Sequence, residues 1–585
     1  MSLVQPQLRP LCSAILMLVF GATQTPVQAS DATVDLKVDA ALLAKASAAI
    51  PSNKRLTYAV PIAVSGVTLV NGQPSTGQWQ DLGNGWSLWQ FTVKSTGAKS
   101  LDFGFSALDL PKSALLNIQS RINPNDAVGI SQDLLPADRG EFWTAMVKGD
   151  IADMSLWVPT ADRGKARLTL KTAHHGFIDI GKALAKSGSC NVDTVCSAGQ
   201  QVAPQARSVA RYTNGGGVCT GALVANTGSN PVEPYFLTAN HCITTATQAR
   251  SMVLYWGYES DTCRSGTASG TPLAITRHRA VQMGGATLVA TRAESDFALV
   301  RLSRGVPATA NAFWSGWSTG VGARGAFVVH HPSGHEKRVS YTDAPMHPIN
   351  YGSSTNTNSH HHLPYYSVGT TERGSSGAPL FDHTGAIIGQ LHGGPASCAS
   401  TGAYSASSSD YYGAVRASYY GDGTRETRLS DWLDPARVGG SAGFNHDLTP
   451  AGTTPETLGV AHVERGLRCT GGDVLSAGRY WLNCSVNVST IGGSSLSMVL
   501  ANIPWGTLGA REAVAFITSP GGTQYPAPMF THSGGASNPT PMGLFWSYHQ
   551  QIDRLQGTWR IQLGSRNRFG NPTLATGEFS FQVGF

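Results

Sequence analysis

Three stretches far apart in the chain supply a hydroxyl, an imidazole and a carboxylate: Gly374-Ser375-Ser376-Gly377-Ala378-Pro379, Thr238-Ala239-Asn240-His241-Cys242 and Asp296-Phe297-Ala298-Leu299. A serine hydroxyl is a weak nucleophile at neutral pH. It needs an imidazole to take its proton and a carboxylate to orient and stabilise that imidazole. Ser376 stands in a glycine-flanked turn that exposes the hydroxyl, which makes it the expected nucleophile and Ser375 its neighbour. The backbone N–H groups of Gly374 and Ser376 are placed to meet a developing oxyanion, and Gly374 keeps that approach clear of a side chain. His241 is the expected general base and later acid, with Asp296 holding its tautomer. Glu294 is the rival carboxylate, but Asp296 opens the apolar run Phe297 to Val300, as a buried carboxylate at a strand start would.

The elements that must position these groups read as β-structure. The 585 residues exceed one ordinary domain, and 67 glycines with 13% charged residues favour turns and short strands over long helices. Arg9 before the apolar run Leu11 to Ala22, with Val27-Gln28-Ala29 before Ser30, reads as an export leader over residues 1–29. That run is short of the ~20 residues needed to span a bilayer. Beyond Cys12 in the leader, eight cysteines remain, an even number that in an exported chain reads as disulfides. Residues 30–186 carry none of them, and alternate polar with apolar residues (Leu88 to Val93, Met154 to Val158), so they read as a β-rich propeptide. Residues 187–446 form the catalytic unit, 447–456 a Pro/Thr/Gly-rich linker, and 457–585 a C-terminal β-rich accessory domain in which Cys469 and Cys484 close one disulfide. The net charge of +6 comes without any basic run interleaved with aromatics, so no nucleic-acid partner is expected.

The chain order His, Asp, Ser is that of chymotrypsin-like proteases. Residues 187 to about 436 resemble bacterial lysyl endopeptidases of the Achromobacter and Lysobacter type. The resemblance is carried by Ser189-Cys190-Asn191-Val192-Asp193 with Cys196, Tyr235 to Cys242, Asp296-Phe297, His330-His331-Pro332, the serine loop, Gln390-Leu391-His392-Gly393-Gly394-Pro395 with Cys398, and Ser430 to Pro435. It implies a mainly β fold with a chymotrypsin-like double β-barrel for these residues; the flanking N-terminal β-rich propeptide and the C-terminal β-sandwich-like domain are read from the residues alone. The resemblance implies the pairings Cys190 with Cys398, Cys196 with Cys263, and Cys219 with Cys242. It also implies a carboxylate at Asp410 that meets the cation of a basic substrate residue, lysine above arginine, with Glu372 as the alternative anion. His392, Gly393 and Gly394 fall in the substrate-binding stretch. Tyr351 falls about where the family carries an aromatic against that histidine.

Ser375 stands where animal trypsins carry an aspartate, so no carboxylate there can pair with a freshly exposed N-terminal amine. Maturation then means removal of the propeptide, and Lys186 directly before Ser187 is a bond that a lysine-specific protease could cut in itself, with Lys182 as the fallback. His330-His331 and His360-His361-His362 invite a metal reading, but adjacent histidines cannot all face one ion, so neither a metal nor a cofactor is expected. The expectation is a secreted, monomeric endopeptidase acting on proteins and peptides after lysine. Broader Lys/Arg cleavage, or a protease-like adhesion protein binding a cell surface or polysaccharide through its C-terminal domain, are the alternatives.

Overall fold

The computed structural model describes residues 32–48, 54–180 and 187–435, apart from short internal gaps and residues 265–279, together with strands between Gly459 and Gly584. The leader at 1–29, Lys182, Lys186 and the linker at 447–456 lie outside the described residues. The structure is mainly β throughout. Among the described residues no helix is long and apolar enough to cross a membrane.

The N-terminal region folds as two sheets. In Ile151–Pro159 the buried residues Ala152, Met154, Leu156 and Val158 alternate with more exposed ones, as a strand with one buried face requires. This strand lies between Trp86–Lys94 and Leu115–Ser120 in a six-stranded sheet. The second sheet is built around the pairing of Ser100–Asp109 with Arg167–Gly176. Trp89, Phe91, Phe103, Phe105, Ile118, Leu156 and Leu168 join both sheets in one apolar core.

The catalytic region has two eight-stranded sheets. One runs through Val209–Asn214, Gly217–Leu223, Tyr235–Ala239 and Phe297–Leu302; the other through Arg338–Pro345, Arg324–His330, Pro379–Asp382, Ile387–Gly393 and Asp410–Ala414. Leu237, Phe297 and Leu299 of the first meet Phe327, Phe381 and Ile387 of the second in a shared core. One strand of the first sheet, Leu56–Thr57, comes from the N-terminal region and pairs with Gly217–Leu223.

Disulfides join Cys190 to Cys398, Cys196 to Cys263, and Cys219 to Cys242, the pairings the resemblance implies. Cys219 sits in Gly217–Leu223 and Cys242 follows His241, so the third bond ties the histidine's turn to a central strand. Arg338 is fully buried, yet Asp193 Oδ1, near the start of the region, lies 2.8 Å and Glu336 Oε1 2.5 Å from its guanidinium. A buried charge is tolerable only with such partners.

The C-terminal strands form a four-stranded and a five-stranded sheet. Cys469 and Cys484 are directly opposed on neighbouring strands and bonded. Trp559 is buried beside the equally buried Leu482, Ile561 and Leu563 of the same sheet, so this tryptophan packs and is not displayed to a ligand.

Candidate active site

The register of two strands brings the imidazole and its carboxylate together. Ala239 pairs with Phe297, so the turn leaving Tyr235–Ala239 faces the residue entering Phe297–Leu302. Asn240 N–H donates to Asp296 O at 2.7 Å, and His241 N–H donates to Asp296 Oδ1 at 2.9 Å. His241 Nδ1 donates to Asp296 Oδ2 at 2.8 Å. Asp296 adopts a left-handed φ of 51°, uncommon for a residue with a side chain and enriched at functional sites. Burial raises its pKa, but the His241 imidazole and its hydrogen bonds outweigh this and hold the carboxyl below its ordinary value. Glu294, the rival in sequence, turns away to the Arg292 guanidinium.

The second sheet supplies the hydroxyl. Ser376 Oγ donates to His241 Nε2 at 2.7 Å. Its loop is fixed by its glycines: a Cβ on Gly374, at φ 92°, would stand 2.5 Å from Gly334 N and 2.8 Å from His331 O. One on Gly377 would stand 2.1 Å from Thr238 Oγ1. Ser375 points the other way, with Oγ 2.8 Å from His330 Nδ1. Burial, together with the positive charge of Lys54, pushes the His330 pKa down to about 3, so this histidine is a neutral hydrogen-bonding strut. The His-His-Pro stretch of the sequence therefore forms the bed of the serine loop.

His392 stacks on His241 with ring centroids 5.5 Å apart. Tyr351 meets His392 edge-on at 5.0 Å and lays its own face on Tyr411 at 3.8 Å. His360 Nε2 lies 2.9 Å from His392 Nδ1, and burial pushes its pKa down to about 3. His361 reaches Ile388 O at 3.2 Å, and His362 stacks on Tyr411. The three consecutive histidines thus serve three different neighbours. His241, Asp296 and His392 do hold ligand atoms within 4.8 Å of one another, but the Asp296 carboxylate already accepts from His241 and the His392 Nδ1 already meets His360.

Asp410 is fully buried. Its Oδ2 accepts from Tyr366 OH at 2.8 Å and also from the Thr371 hydroxyl. Facing it is a residue that sequence reading does not single out, Lys54. Lys54 Nζ lies 2.8 Å from Asp410 Oδ1 and donates to Thr371 Oγ1 at 2.6 Å, Ala396 O at 2.8 Å and Thr371 O at 3.1 Å. Burial lowers the pKa of this ammonium, and Asp410 opposes that shift most strongly. Gly394 lines the same pocket: a Cβ there would stand 2.5 Å from Asp410 Oδ1. Gly393, buried at the end of Ile387–Gly393, pairs with Tyr411. Glu372 instead accepts from Gly188 N–H at 2.9 Å and Asn191 Nδ2 at 3.3 Å, so it fastens the start of the catalytic region. Ser187 is buried there, its N–H donating to His335 Nδ1 at 3.2 Å. No sequence signal exposes Lys54: it stands in the unremarkable Asn53-Lys54-Arg55 stretch, which nothing ties to Asp410, 356 residues away.

The lysyl endopeptidase N-terminal domain matches residues 33–176, and the lysyl endopeptidase C-terminal domain matches residues 184–413. Together these span well over half of the chain. The chain belongs to the lysyl endopeptidase family. As a member of it, the protein is a serine endopeptidase. Among solved structures it is similar to a Glu endopeptidase in complex with MPD, at 17% identity over 39% of this chain and 92% of that one, with a TM-score of 0.25. It is also similar to kallikrein-related peptidase 10, at 16% identity over 37% of this chain and 92% of that one, with a TM-score of 0.24. In this lysyl endopeptidase family member the imidazole and carboxylate stand at paired strand ends of one sheet, and the hydroxyl precedes a strand of the other. The inter-sheet core is therefore what sets their spacing.

Proposed function

We propose that this endopeptidase cleaves proteins and peptides on the carboxyl side of lysine, with Ser376 as nucleophile, His241 as general base and acid, and Asp296 orienting the imidazole. In this reading Ser376 Oγ attacks the carbonyl carbon after lysine while its proton passes to His241 Nε2. His241 then delivers that proton to the leaving amine, and a water, activated by the same imidazole, hydrolyses the acyl-enzyme. The oxyanion is stabilised by the N–H groups of Gly374 and Ser376, each worth about 3 kcal/mol of transition-state stabilisation. Asp410 receives the substrate's ammonium.

The observation that carries the lysine preference is the fully buried Asp410 among Thr371 and the Ala396 carbonyl, a set of acceptors converging on one point. An ammonium is a compact point charge with three donors and fits such a cluster, whereas a guanidinium needs a broad planar fork. We further infer export through the 1–29 leader, consistent with the disulfides, and release of the N-terminal region by cleavage near Lys186 and Ser187.

The test is a mass-spectrometric map of every bond that the secreted form cuts in a denatured protein mixture, beside a Ser376→Ala control. Cuts after lysine alone, lost by about 10⁶-fold in the control, are expected. Cuts after arginine as well would refute the narrow pocket, and cuts surviving in the control would refute the nucleophile.

A further inference from the structure

Lys54 belongs to the N-terminal region, yet its side chain, its carbonyl and the strand after it all lie against the catalytic region in an order that follows a peptide substrate. The ammonium is in the Asp410 pocket. The carbonyl oxygen of the same residue accepts the Gly374 N–H at 2.5 Å, the position expected of a scissile carbonyl at the oxyanion donor. Downstream, Leu56 pairs with Val218 and Thr57 with Gly217 in antiparallel register, and Tyr58 N–H donates to Gly216 O at 2.9 Å. Arg55 Nη2 donates to Asn214 O at 3.1 Å. The fit is close enough to require a glycine opposite: a Cβ on Gly216, at φ 77°, would stand 2.3 Å from Ala59 O. With this segment in place Ser376 has no exposed surface and Lys54 is itself 5% exposed.

We propose that residues 54–58 are a tethered substrate mimic, which presents the Lys54–Arg55 bond to Ser376 and keeps external substrate out of the full-length chain. The inference rests on Asp410 being the lysine pocket.

A segment bound like a substrate should be cut, and the structure contains the reason it inhibits instead. Attack of Ser376 Oγ on the Lys54 carbonyl would break the bond to Arg55, with His241 passing the serine proton to the Arg55 nitrogen. That amine could not diffuse away. Leu56–Thr57 is held in the catalytic sheet, and Tyr58 OH donates to Asp102 Oδ2 at 2.6 Å inside the N-terminal region, where Asp102 also meets His174 Nδ1 at 2.6 Å. The next strand, Ala59–Ala63, is paired along Arg167–Gly176. Leu56, Tyr58, Met146, Ile180 and Val218 close an apolar cluster over the junction. A leaving amine retained beside the acyl-enzyme has a very high effective concentration, so the amide re-forms faster than water displaces it. In that back reaction the amine attacks the ester, the proton returns through His241, and Ser376 recovers its hydroxyl.

The test uses the full-length chain in the Ser376→Ala background, with and without Lys54→Met, and a fluorescein-labelled peptide containing a single lysine. Met keeps the length of the side chain and removes its charge; Lys54→Ala provides a second variant, and near-UV circular dichroism checks that each is folded. Fluorescence polarisation should show no saturable binding with Lys54 present, and binding tighter by about 100-fold or more once its buried ion pair is removed. Equal affinity for the peptide in folded chains with and without Lys54 would overturn the proposal. The cleavage map of the processed enzyme separates the two ideas: cuts after lysine together with equal affinities sink the mimic alone, whereas an absence of lysine cuts sinks the pocket on which it rests.

Discussion

The N-terminal sandwich and the two-sheet catalytic region sit in one chain but are held together differently. The sandwich contains no cysteine, and its centre is a continuous apolar cluster of Trp89, Phe91, Phe103, Phe105 and Phe142. The catalytic region buries Arg211, His330, His331, His335, Glu336, Arg338 and Gln390 almost completely and adds three disulfides. Apolar burial is non-directional and tolerant, whereas buried polar groups are costly unless each finds its partner and in return fix one geometry. The difference shows where the molecule spends stability on chemistry. The region that must hold a hydroxyl 2.7 Å from an imidazole is the one that carries the larger polar interior and the three disulfides.

The sharpest way to break this contrast is Phe103→Ala. Phe103 is fully buried in the sandwich core, so its loss should cost about 3–5 kcal/mol. The change should appear as early unfolding of the N-terminal region, while enzyme already released from it keeps its full turnover; equal losses in both regions would show that they are one cooperative unit. Next is Asp410→Asn, which keeps the shape of the pocket and removes its charge. Turnover of lysyl substrates by enzyme released from the N-terminal region should fall by about 100-fold, or roughly 3 kcal/mol. An unchanged preference for lysine would transfer the role to Glu372.

The smallest effect is that of a single histidine on the pH dependence of stability. Burial depresses the pKa of His330 and His360 to about 3 and of His335 and His361 to about 4. Each is neutral in the fold and ordinary when unfolded. Below the unfolded value near 6.5 the unfolded chain binds protons that the native chain refuses, so stability is lost as pH falls from there towards the folded values. Each such histidine contributes a slope of about 1.4 kcal/mol per pH unit over that window. Urea midpoints at pH 7 and pH 5 should therefore diverge for the catalytic region more than for the sandwich, and His361→Gln should reduce the divergence. No reduction would mean that His361 is not buried in its neutral form.

Much of the site is legible from sequence where the chemistry is local. The glycines around Ser376, the apolar run after Asp296 and the small-residue turn at His241 each announce a strand end with a reactive group on it. The histidine pairs and triplet are less legible. His330 supports Ser375, His331 cradles Gly374 through its carbonyl, and His360 backs His392, three roles that depend on neighbours more than thirty residues away or on another strand. Glu372 is misleading for the same reason: its distance from Ser376 in sequence is short, but its carboxylate faces Gly188.

The amino-acid sequence by itself determined the candidate reacting groups, the mainly β character and the division of cysteines between regions, because those follow from side-chain chemistry, period-two patterning and composition, all of which are local properties. Only the tertiary structure decided that Lys54 meets Asp410 and that Leu56–Thr57 completes a sheet of the catalytic region. Nothing local distinguishes Lys54 from the other lysines of the chain. Its significance comes from long-range packing, which brings an ammonium and a carboxylate from opposite parts of the chain into a pocket that neither specifies alone.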